Sequence, residues 1–79
     1  MKTQDRYLMF VQWSEEDRAY VGYCPDLFPW GGVCHGTTPP EAYTRLCEAV
    51  LDTVRSAEAQ GLPLPPPRTR PMREMELAA

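Results

Sequence analysis

The chain has 79 residues, a formal charge of −3 and an apolar fraction of 43%, which is enough apolar material for one small folded domain and too much for a disordered segment. Its acidic balance excludes the basic face that an autonomous nucleic-acid binder needs and instead suits a basic protein partner. A domain this short buries only about 60% of the surface of its unfolded chain, so self-association or a partner is the expected source of further stability.

Residues 1–5 read as a frayed lead-in, without the apolar run of a signal peptide, and no stretch reaches membrane-spanning length. From Arg6 to Trp13 the chain is aromatic, partly β-branched and free of Gly and Pro, which predicts a strand. Alternation puts Tyr7, Met9, Val11 and Trp13 on one face and Leu8 and Phe10 on the other. Both faces are apolar, so one is expected under a helix and the other under a second subunit or a partner. Ser14–Arg18 is a charged hairpin, and Ala19–Cys24 a second strand antiparallel to the first, stopped by Pro25.

The next loop, 25–32, is rich in turn residues yet carries Leu27, Phe28 and Trp30. Tyr23, Phe28 and Trp30 are therefore candidate anchors for a subunit or partner contact, because Trp and Tyr dominate binding hot spots. Plugging the end of a small core is the competing role, and for Trp30 between Pro29 and Gly31 the two readings balance. Asp26 is expected to cap its own turn. Val33–His35 reads as a short third strand that Gly36 and Thr37 turn into a helix.

That helix, between Gly36 and Gly61, has both ends written in the sequence. Thr38 is the expected N-cap and Glu41 its capping-box partner, with Pro39 in the first helical position. Ala42, Tyr43, Leu46, Cys47, Val50, Val54 and Ala57 form one apolar stripe. Glu41 with Arg45 and Asp52 with Arg55 are spaced to support the exposed face. Gly61 is the expected left-handed cap, and the prolines from Pro63 onward predict an extended exit segment. The domain spans 1–67; the tail, 68–79, carries Arg68, Arg70 and Arg73 and is either a short edge strand at 73–77, a turn of helix or unstructured.

The residue types for metal or nucleophilic chemistry are present in Cys24, Cys34, His35 and Cys47, but without metal-site spacing. Cys34 and His35, as strand neighbours, point to opposite faces and cannot act as a pair. The odd cysteine count favours free thiols in a reducing cytoplasm. The carboxylates lie in the hairpin, in one turn and along the helix, and do not predict a two-metal nuclease centre.

The order of these features resembles the HicB-like antitoxin family. The carriers are Tyr23, Pro25, Asp26 and Leu27, then Gly36, Thr38, Glu41 and Ala42, then Glu48, Ala49, Gly61, Pro63 and Pro65, spread over residues 6–67. The resemblance implies an α+β fold, β-β-β-α-(β), with an antiparallel sheet and one long helix on one face, similar to a truncated ribonuclease H fold without its catalytic acids. It implies a homo-dimer or homo-tetramer in bacterial cytoplasm, non-catalytic and free of cofactors, that blocks a small basic HicA-type mRNA interferase. This chain departs from the family pattern in the Phe28–Gly32 insertion, in Thr37 where an acid is common, and in ending before a C-terminal DNA-binding domain, so operator binding is not expected. The rival functions are a stand-alone oligomer that binds a small ligand at the aromatic loop, and a residual ribonuclease H-like nuclease.

Overall fold

The computed structural model describes residues 2–69. A turn of 3-10 helix, Thr3–Arg6, is followed by strands β1 (Phe10–Ser14), β2 (Ala19–Tyr23) and β3 (Cys34–Gly36) and by helix α1 (Pro39–Gln60). The strands form one antiparallel sheet in the order β1-β2-β3. The architecture is α+β, as expected, while the edge strand considered at 73–77 lies outside the described residues.

Element ends differ from the sequence expectations for identifiable reasons. Residues 3–6 are not frayed: the Asp5 N–H donates to Lys2 O at 3.0 Å and the turn rests against α1. β1 begins at Phe10 and not at Arg6, because its last partner is Tyr23 and β2 stops there, one residue before Cys24 and the Pro25 turn. Tyr7 leaves the ladder and enters the core, 6% exposed. β3 is shifted one residue later than expected, although the Val33 N–H already reaches Gly22 O at 2.9 Å.

Sheet register divides the side chains between two faces. Val11 opposite Gly22 and Trp13 opposite Tyr20 belong to the face that meets the helix; Phe10 opposite Tyr23 and Gln12 opposite Val21 belong to the other. A Cβ on Gly22 would stand 3.0 Å from the Leu46 Cβ, which identifies the helix side. The helix lays Ala42, Leu46, Val50 and Val54 on that side, all of them buried. With Tyr7, Cys24 and Leu27, three of these (Leu46, Val50 and Val54) make one apolar cluster. Tyr43, expected on the stripe, is 43% exposed, because it falls on the margin of the i, i+4 row and not within it.

Both helix ends follow from their caps. The Thr38 hydroxyl accepts from the Glu41 N–H at 3.2 Å. The Glu41 carboxylate reaches the Thr37 N–H at 2.9 Å, one residue earlier than a regular capping box. Gly61 has φ 68°, its N–H donates to Glu58 O and the Leu62 N–H to Ala57 O, the paired bonds of a Schellman cap. Arg45 pairs with Glu41 at 3.6 Å. Asp52 and Arg55 form no such pair among the described residues, despite their spacing.

Gly36 does not act as a turn. It is the last residue of β3, buried, and a Cβ there would lie 2.5 Å from the Ala42 backbone N. That neighbour is main chain in the first turn of α1 and cannot rotate away. Gly36→Ala is expected to cost about 1–3 kcal/mol by forcing the helix off the sheet. Urea unfolding should show a lower midpoint with an unchanged m-value, and an unchanged midpoint would refute the close approach.

Candidate functional site

Three groups of residues stand out, and the first is the sheet face turned away from the helix. Here Phe10 and Tyr23 stack with centroids 4.9 Å apart and planes inclined by 16°. They are cross-strand partners, so the register itself brings the rings together. Between strands, Val21 on the same face is 2% exposed because Gly32 folds over it: a Cβ on Gly32 would lie 2.6 Å from Val21 Cγ1. His35 continues this face on β3, opposite Val21. Its Nε2 lies 3.6 Å from Asp17 Oδ2 in the β1–β2 hairpin, with both side chains more than half exposed. Ser14 Oγ holds that hairpin by donating to Asp17 Oδ2 at 3.1 Å and accepting the Asp17 N–H at 3.2 Å. Glu15 and Glu16 project from the same loop, exposed.

The second group is aromatic and spread over two places. Trp13, 44% exposed, meets Tyr20 edge-on at 5.1 Å beside the hairpin. Trp30, 76% exposed, meets Phe28 edge-on at 5.6 Å. Of the sequence candidates, Phe28 packs against the core cluster, Tyr23 lies on the outer sheet face, and Trp30 stands at the surface. The structure therefore pairs Phe28 with Trp30 and sets Tyr23 apart against Phe10, and the exposure of Trp30 removes its core-plug reading. Sequence alternation put Phe10 on the face opposite Val11 and Trp13; that this face turns away from the helix, and that Phe10 stacks on Tyr23, needed the register and the helix packing.

The third group is built around Asp26. The expectation that it caps its own turn is incorrect. Pro25 and Asp26 do form the turn, closed by the Leu27 and Phe28 N–H groups on Cys24 O at 3.2 and 2.8 Å. The Asp26 carboxylate instead accepts from the Arg68 N–H at 3.0 Å, the Thr69 N–H at 3.1 Å and the Thr69 hydroxyl at 2.9 Å. Tyr7 lies alongside: its hydroxyl donates to Pro65 O, and Leu64 packs on the core cluster. The proline segment is thus not a free exit but a strap laid back across the domain, and Arg68 and Thr69, assigned to the tail, are tied to it. This fastening joins groups 42, 43 and 58 residues apart, so no local signal announces it.

The thiols are free. Burial pushes the Cys24 and Cys34 thiols up, away from the reactive thiolate. The Cys34 thiol donates to Ala42 O at 3.3 Å on the helix side, while His35 points to the hairpin, the opposed arrangement expected of strand neighbours. Among the described residues no three His, Cys, Asp or Glu side chains gather in metal-binding geometry, and no helix is long and apolar enough to cross a membrane. No family model matches the chain, and no curated protein and no solved structure matches it.

The Thr69 N–H above all holds the Asp26 carboxyl below its ordinary range; burial opposes it, and the Thr69 hydroxyl, the Arg68 N–H and the Arg68 charge add to the lowering. A depressed carboxylate contributes stability at neutral pH that is lost as pH falls through its folded-state value. The protection factors of the Arg68 and Thr69 amides, taken against intrinsic exchange at the same pH, are therefore expected to be high near neutrality and to fall in acid as the Asp26 carboxylate takes up its proton, while α1 amides keep theirs. Asp26→Ala should give low protection factors at those two amides at neutral and acid pH alike; retained protection in that variant would show that the carboxylate does not hold the strap.

Proposed function

We propose that the protein is a non-catalytic binding module of the HicB antitoxin type, whose task is to cover a small basic ribonuclease resembling HicA toxins. The observation that carries this reading is the outer sheet face, where the half-buried Phe10 and Tyr23 stack on the side away from the helix, at the end of the β1–β2 ladder opposite the acidic hairpin. Stacked aromatics supply rigid contact area at little conformational cost, and the exposed Glu15 and Glu16 supply the charge that steers a basic partner. The succession of three antiparallel strands and one helix supports the comparison with a truncated ribonuclease H fold. On this reading the chain works as a homo-oligomer in the cytoplasm, Trp30 adds to a subunit or partner contact, and no metal or cofactor takes part.

The test is inhibition of RNA cleavage by a HicA-type ribonuclease, taken from the short basic reading frame that this reading expects beside the gene. Wild-type protein should abolish cleavage near equimolar ratio. Phe10→Ala or Tyr23→Ala should weaken inhibition at least about tenfold, as loss of a central aromatic anchor does, and Glu15→Lys with Glu16→Lys should mainly slow association. Undiminished cleavage with excess wild-type protein would rule the reading out.

A further inference from the structure

The strap is fastened in an unusual way. Residues 62–69 belong to no helix or strand; beyond the Leu62 N–H, which belongs to the helix cap, their hydrogen bonds to the other described residues end on side-chain atoms of two residues, Tyr7 and Asp26. Leu64 supplies the apolar contact. The segment leaves α1 through Gly61, whose surroundings are open for 4 Å around a Cβ, and through exposed Leu62 and Pro63. Pro63, Pro65, Pro66 and Pro67 restrict φ along its length, so a released strap stays extended, about 3 Å per residue, and does not collapse.

These properties make the seat indifferent to whose strap fills it. A strap from another copy presents the same Pro65 carbonyl, the same Arg68 and Thr69 N–H groups and the same hydroxyl to the same Tyr7 and Asp26. The exchange loses no polar contact, and a preorganised segment adds little ordering cost when it docks again. We propose that Tyr7 and Asp26 form a docking seat for an extended proline-containing segment, and that its occupant in trans is residues 64–69 of a second copy of this chain, exchanged reciprocally. Exchange of an identical element between protomers is a low-cost route to a dimer, and this chain is short enough to gain from one. The inference is independent of the toxin reading, since it concerns only copies of this chain.

Complementary variants test it. Asp26→Ala keeps an intact strap and lacks the carboxylate; Leu64→Ala with Thr69→Ala keeps an intact seat and has a weakened strap. In isotope-labelled L64A/T69A protein, amide resonances around Tyr7 and Asp26 should be displaced from their wild-type positions. Adding unlabelled D26A protein toward about millimolar concentration, the range of a short tether's effective concentration, should return them toward wild type. Unlabelled protein carrying all three substitutions should do so at least about tenfold less well. Should L64A/T69A not fold, Thr69→Val, which removes only the hydroxyl donor, takes its place in the same titration. Resonances that ignore D26A protein, or that move equally with the triple variant, would overturn the exchange and leave the strap an intrachain brace.

Discussion

The contact on which the molecule depends is the seam between α1 and the sheet. Ala42, Leu46, Val50 and Val54 repeat every four residues, and each is buried against the helix side of the strands. Burying side chains of this kind contributes about 1.5–3 kcal/mol each for the larger ones. The seam is tight because two glycines let it be. Gly22 in β2 leaves room for Leu46 and for the Cys34 thiol, and Gly36 in β3 lies against the backbone of Ala42. The helix N-terminus is thereby set directly on the end of β3, and Thr38 and Glu41 satisfy the N–H groups exposed there.

A single helix covers a single face, so the outer face inherits whatever the strands carry. In this chain it carries Phe10 and Tyr23, with Gly32 folded over Val21 between them and the next strand. This division gives the two ends of the sheet different characters. The hairpin end is acidic and holds Trp13, Tyr20 and the His35–Asp17 pair. The other end is closed by the Pro25 turn and the strap. Fastening the strap with a carboxylate and a phenol, and not with a strand ladder, makes its attachment depend on few groups. Asp26 and Tyr7 thus do at this end what the caps do for the helix.

Much of the architecture was legible before any coordinates. The helix and its caps, the hairpin, the two main strands and the split between Val11 and Trp13 on one face and Phe10 on the other all follow from local rules of capping, turn chemistry and alternation. Cys34 and His35 pointing apart follows from the same two-residue period. What local reading misplaced lay at edges. Sequence alone starts β1 four residues too early because Tyr7–Met9 have strand-like side chains, whereas a strand persists only where a partner backbone continues. Tyr43 looked like stripe because an apolar residue beside the buried row is indistinguishable from one in it until the helix is rotated onto the sheet.

The sequence by itself determined the capped helix, the hairpin of two strands and the short third strand, and which residues share a strand face or the helix stripe, because those properties are written in spacings of two to four residues. Only the tertiary structure decided that Phe10 stacks on Tyr23, that Phe28 is core while Trp30 is surface, that Gly36 serves a close approach and not a turn, and that Asp26 binds the strap. Each of these is a meeting of groups far apart along the chain, and the geometry that brings them together exists only once register and helix packing have been set.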